Sequence, residues 1–288
     1  MKDRPASSKS FRFLEYSPSA SATASAHSVS VTKESFWSYC GPLLSDPDAI
    51  PSSLHDWTFA TLSSPILPLL LPFLAFANDF IIQNGLDNYW LTIRATKATS
   101  EFNRPRWHTD DLFFSRDNDQ TFLKLKSDRG AHATKPSLNL TTDWKLCATL
   151  LGPSTVFIPA DRQASARATS RATRRTLATE HACTSIRCVG CAAAADAVRE
   201  RLAGELDGLG RVQAAPGQCA FFRIGRERGA VHSEPCMSEG DRIFVNVVPG
   251  TKDELAGLVK RWGMGFPRSW WVAPGVVRDH DRTEDGQR

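Results

Sequence analysis

The chain has no hydrophobic run long enough to cross a membrane. Its greasiest stretch, residues 65–77, carries three prolines and is followed by Asp79. It falls short of the roughly 20 apolar residues that a helical span needs, so it reads as a buried helix with a proline near its start. No secretory signal opens the sequence, and the cysteines number seven, an odd count in a chain of 288 residues. Reduced thiols in an intracellular, cytoplasmic protein are the expectation, not a disulfide scaffold. A bias of charge is also missing: 35 Lys+Arg against 31 Asp+Glu leave +4, too little to argue for nucleic acid. There is no glycine-rich nucleotide loop and no internal repeat.

What is present suffices for a folded core. With 41% hydrophobic and 23% charged residues, the chain is outside the disordered class, and its length fits one or two domains, a β-barrel of this size being a single unit. Residues 1–35 are rich in Ser, Ala and Thr without apolar period and read as a flexible tail. The basic residues Lys2, Arg4, Lys9 and Arg12 among serines make a mitochondrial transit peptide the alternative, opposed by Asp3 and Glu15. Residues 36–275 read as one domain with an apolar, helical N-terminal layer. Strands are expected at 89–94, 144–151, 154–158, 218–224 and 242–248, where β-branched and aromatic residues concentrate between Gly/Pro turns. In the last of these Ile243, Val245 and Val247 share one face, and Arg242, Phe244, Asn246 and Val248 share the other. Helices are expected at 192–206 and 252–262. Residues 115–143 and 160–215 look like insertions, the first polar, the second with an Arg/Ala/Thr-rich segment at 160–191. Residues 276–288 form a charged, frayed end.

One stretch reads as chemistry. In Arg104-Pro-Arg-Trp-His108-Thr-Asp110, extended backbone turns His108 and Asp110 to one face, with Thr109 on the other. Downstream, Gly229-Ala-Val-His232 supplies a second histidine and Arg242 follows ten positions later. A neighbouring strand bringing His232 alongside completes two histidines and one carboxylate, the ligand set that leaves coordination positions open and suits a non-haem Fe(II) oxygenase. An arginine beside such a site can grip an acid co-substrate with a planar fork of donors.

The order of strand, His-x-Asp, strands, Pro-Gly turn, strand, His and Arg resembles the double-stranded β-helix (jelly-roll barrel) of Fe(II)/2-oxoglutarate-dependent dioxygenases. More narrowly, Trp107-His-Thr-Asp110, residues 144–159 and Gly229-Ala-Val-His232 with Arg242 are similar to the domain-of-unknown-function family 1826. The resemblance covers roughly residues 55 to 250 and implies a mainly β jelly roll with flanking helices. It implies Fe(II) held by His108, Asp110 and His232, and 2-oxoglutarate as co-substrate with its distal carboxylate on Arg242. The implied activity is a hydroxylase-type oxidation at the barrel mouth. Thr149, Asn246 and Tyr89 are candidates for a second co-substrate anchor.

Plainer readings stand beside these. A His-x-Asp recurs by chance, and Arg242 has Asp241 and Glu239 nearby as ordinary ion-pair partners. The same barrel also suits a non-catalytic binding module, or a Zn²⁺ or Mn²⁺ enzyme of cupin type using the metal as a Lewis acid. A second metal pattern, His181 and Cys183 with Cys188 and Cys191, has zinc-like spacing but no matched second pair, so free thiols are the expectation there.

Overall fold

The structure is a computed structural model that describes residues 10–16, 29–114, 144–177 and 189–274. The insertion at 115–143 and the C-terminal end at 276–288 lie outside the described residues. So do His181, Cys183 and Cys188 of the second metal pattern.

The centre of the molecule is an antiparallel seven-stranded sheet. In chain order its strands are β1 (Phe11–Glu15), β2 (Ser35–Pro42), β3 (Asn88–Thr96), β4 (Trp144–Leu151), β7 (Gln218–Arg223), β9 (Arg242–Gly250) and β10 (Arg268–Trp271). Across the sheet they lie β1-β7-β4-β9-β3-β2-β10. A smaller sheet has β5 (Val156–Phe157) between β6 (Val212–Gln213) and β8 (His232–Ser233). Each strand expected from sequence has a counterpart in β3, β4, β5, β7 or β9, although the one expected at 154–158 is only the two-residue Val156–Phe157. The protein is mainly β with flanking helices, and its two sheets are separate ladders among the described residues.

Alternation sorts each strand into two faces. Leu91, Ile93, Leu146, Ala148, Phe221, Val245 and Val247 point to one side, where helices α1 (Ser52–Thr61) and α2 (Leu67–Gln83) cover them with Leu54, Trp57, Leu70, Phe73 and Ile81. Helix α2 is the apolar run read as a buried helix. Pro68 lies in its first turn, where a missing N–H costs nothing, and Pro72 lies one turn further in.

The opposite side of the sheet carries Cys147, Ala220, Phe222 and Phe244, and the small sheet packs on it through Phe157. Helices α3 (Gln163–Thr176) and α4 (Val189–Glu205) cover the outer face of the small sheet, meeting Trp107, Val156, Ile158 and Val231. Helix α5 (Lys252–Lys260) closes the far end against Cys40 and Trp90. Its start is fixed by a capping box between Thr251 and Glu254. Among the described residues no helix is long and apolar enough to cross a membrane.

Two sequence expectations are corrected here. Residues 1–35 are not a tail throughout: Phe11–Glu15 is an edge strand on β7, with Phe11 stacked 4.7 Å from Phe157. The alternation Phe11-Arg-Phe13 was the signal, too short to stand out beside the Ser/Ala runs. Residues 160–191 read as an Arg/Ala/Thr-rich segment of an insertion with no helix assigned to it, and α3 occupies 163–176. Its buried positions, Gln163, Ala166, Ser170 and Thr173, follow helical spacing with small or polar side chains. A search for large apolar residues passes over such a stripe. Residues 163–176 are therefore part of the packed structure.

Candidate metal centre

The site is built where the small sheet meets the His-x-Asp segment. His108 and His232 face each other across an antiparallel bridge and exchange both backbone bonds, each N–H donating to the other's carbonyl at 2.9 Å. Directly opposed residues of an antiparallel pair project to the same side, and the two rings stand 4.4 Å apart, centroid to centroid. Asp110, two residues on in extended backbone, turns to that side as well. The Arg106 N–H donates to Ser233 Oγ at 2.8 Å, fixing the register of the segment against β8.

Local chain chemistry enforces this arrangement. The loop before His232 closes tightly at Gly229, whose N–H donates to the Gly225 carbonyl at 2.7 Å. A Cβ at Gly229 would lie 2.3 Å from that oxygen, so no other residue fits. Gln163 of α3 is buried beneath the next residues. Its amide donates to the carbonyls of Ile158 and Val231 at 2.7 and 3.1 Å, and its oxygen accepts from the Val231 N–H at 2.7 Å. Val231 immediately precedes His232, so α3 clamps the ligand strand.

Each imidazole is oriented by its own chain. His108 Nδ1 lies 2.7 Å from the Arg106 carbonyl and His232 Nδ1 lies 2.9 Å from that of Ala230. A carbonyl only accepts, so each Nδ1 carries the proton and each Nε2 presents a lone pair. These nitrogens face the carboxylate: His108 Nε2 is 3.8 Å from Asp110 Oδ1 and His232 Nε2 is 3.7 Å from Oδ2. One ligand atom from each of the three residues lies within 4.8 Å of the other two. Two donors bonded at about 2.1 Å to one ion at right angles sit about 3 Å apart, so the donor set fits a divalent metal after a small contraction. His232 is buried, whereas the His108 side chain is 32% exposed and leaves that side open.

The electrostatics agree with a ligand set. Burial alone would raise the Asp110 carboxyl, but the Lys145 ammonium at 2.6 Å, aided by the two histidines, holds it well below the usual carboxylate range. Burial first, then the neighbouring His108, pulls the His232 imidazole down to about 4, against the opposing pull of Asp110. At neutral pH the carboxylate is charged and His232 is neutral, as metal ligation requires.

Arg242 enters the same side of the sheet, beside Phe244. Its Nε donates to the Pro153 carbonyl at 3.0 Å, its Nη2 to Thr155 Oγ1 at 3.1 Å, and its guanidinium lies 4.4 Å from the Phe244 ring centroid. The expected turn at Gly152-Pro153 sets these acceptors. Gly152 adopts φ +82, and a Cβ there would lie 2.3 Å from the Asp241 carbonyl. Of the two plainer partners for Arg242, Asp241 instead accepts from the N–H groups of Val31 and Ala98. Among the described residues Arg242 has no ion-pair partner. Burial pulls the guanidinium down to about 10, which leaves it a cation at neutral pH.

The proposed second anchors divide. Asn246 is in register with Cys147 and Thr92 on the site side, and its buried Oδ1 has no hydrogen-bond partner among the described residues. Thr149, in register with Phe244, shares the face of Lys145 and Cys147. Tyr89 is corrected: it lies in the core under α1 and α2, where its hydroxyl accepts from the Leu44 N–H. The residue that sequence reasoning missed is Lys145. It is the second residue of β4 and looks like the polar side of a strand, with nothing in its neighbours to mark it. Of the second metal pattern only Cys191, in the first turn of α4, falls on a described element. No protein-family model and no curated protein matches the chain.

Proposed function

We propose that the protein is a non-haem Fe(II)/2-oxoglutarate-dependent dioxygenase built on a jelly roll and related to the domain-of-unknown-function family 1826. The observation that carries this reading is the convergence of two histidines and one carboxylate on one point, with a buried arginine on the same side of the sheet that has no ion-pair partner among the described residues. A ferrous ion bound there supplies the oxygen chemistry, in which decarboxylation of the 2-oxo acid is coupled to oxidation of a substrate C–H bond.

The chain's own residues do the rest. His108, Asp110 and His232 hold the ion on one side and leave its other positions free. Their Nδ1 bonds to Arg106 and Ala230 keep the Nε2 lone pairs aimed. Phe157 and Phe222, with centroids 5.6 and 4.9 Å from that of His232, shut water out of the buried side. Arg242 offers its remaining N–H donors to the far carboxylate of the co-substrate. That anion offsets a burial cost that the Glu234 carboxylate, near enough to favour the charged guanidinium, offsets only in part.

Anaerobic metal loading tests the reading. Stoichiometric Fe(II) together with oxygen uptake that depends on 2-oxoglutarate is the expected result. Zinc without oxygen uptake would instead favour the Lewis-acid enzyme, and no metal at all the binding module. His108→Ala and Asp110→Ala should each lose bound metal while circular dichroism stays that of the wild type. Full metal content in both would remove the triad from the argument.

A further inference from the structure

Among the described residues Lys145 has the ammonium nearest the triad. Its Nζ lies 2.6 Å from Asp110 Oδ2, the oxygen that also faces His232 Nε2 at 3.7 Å. The side chain is buried and runs beside Phe222, with Nζ 5.0 Å from the ring centroid. Among the described residues Asp110 is its only ion-pair partner. A carboxylate withdrawn from water needs a counter-charge, and Lys145 supplies one in the protein without metal. A divalent ion at the triad neutralises the same carboxylate from the same side. Two cations cannot both sit against one carboxylate at contact distance without repelling each other.

We propose that Lys145 is a built-in competitor of the metal, holding Asp110 in the metal-free protein and giving up that contact when the metal binds. The inference rests on reading the triad as a metal centre. Lys145 thereby keeps the empty site folded and lowers its metal affinity. A lysine that merely propped the triad in shape would do the reverse, since its removal would weaken the metal.

The sign of that effect is the test. Mn(II) is titrated into the metal-free full-length chain, as wild type, Lys145→Gln and Lys145→Arg, and free Mn(II) is followed by electron paramagnetic resonance. Lys145→Gln keeps a hydrogen-bond donor without charge and should bind Mn(II) at least tenfold more tightly. Lys145→Arg keeps the charge and should stay near wild type. Metal-free Lys145→Gln should also melt lower than wild type and gain more on adding Mn(II). Equal or weaker binding by a folded Lys145→Gln overturns the proposal while leaving the metal site intact. If wild type binds no Mn(II), the metal reading itself fails. Should Lys145→Gln not fold, the ε-carbon resonance of Lys145 in ¹³C-lysine-labelled wild type decides instead. It should shift as Zn(II) fills the site, and an unmoved resonance with zinc bound overturns the proposal.

Discussion

At the scale of single residues, Arg242 carries the sharpest consequence. Its guanidinium is buried against Phe244 with two neutral acceptors and no ion-pair partner among the described residues. A planar fork grips a carboxylate through two parallel bonds, whereas an ammonium offers a point charge. In the proposed enzyme, Arg242→Lys should therefore weaken 2-oxoglutarate by about 1.5–3 kcal/mol, the worth of a charged hydrogen bond, and leave Fe(II) affinity unchanged. Titration of the iron-loaded protein under nitrogen, followed by the metal-to-ligand charge-transfer band, measures both. Equal 2-oxoglutarate affinity in the two proteins would take the co-substrate out of the reading. The candidate ligands were legible residue by residue, because a two-residue spacing in extended backbone fixes a shared face. Lys145 was not, because a charge on a strand acquires meaning only from what lies opposite it.

At the scale of elements, α3 and β1 are two of those the sequence concealed, and both pack beside the site. Gln163 fastens α3 to Ile158 and Val231 by three hydrogen bonds in a buried setting. Gln163→Leu strands those backbone groups and should cost about 2–4 kcal/mol in urea unfolding, taking the desolvation of one or two buried groups. Because Val231 precedes His232, the same change should weaken metal binding without altering any ligand. Unchanged metal affinity would show that the clamp does not reach the site. For β1, Phe11 stacks on Phe157, whose ring in turn lies beside His232. Phe11→Ala should cost about 3 kcal/mol, in the range for deleting a buried aromatic. A loss below about 1 kcal/mol would mean that the strand is an ornament on the sheet edge.

At the scale of the whole molecule, helices, large sheet, small sheet and outer helices stack in layers, and the triad lies at the inner seam. That burial couples folding to pH in the metal-free protein. The folded state holds His232 at about 4, while an unfolded histidine titrates near 6.5. Between these values the unfolded chain binds a proton that the folded one refuses, so stability rises with pH. Acidification from pH 7 to 4.5 should thus cost about 2–3 kcal/mol through His232, at about 1.4 kcal/mol per pH unit. Asp110, held low, adds a further loss in stronger acid. Urea unfolding of wild type and His232→Gln across this range isolates the contribution, and the variant should show the flatter profile. Identical slopes would mean that His232 is not the buried, neutral group described.

The amino-acid sequence by itself determined the strands β3, β4, β5, β7 and β9, the buried helix and the pairing of faces along β9. Alternation and β-branching act within a few residues and need no distant partner. It also marked His108, Asp110, His232 and Arg242, whose chemistry is unusual enough to be noticed singly. Tertiary structure decided which of these meet, through the backbone bridge between His108 and His232. It alone turned Tyr89 away into the helical core, and it brought Lys145 onto Asp110. Helix α3 and strand β1 likewise belong to that level. Each buries a face too small, or too short, to register as a pattern, and each is held by partners that the chain supplies from far away in sequence.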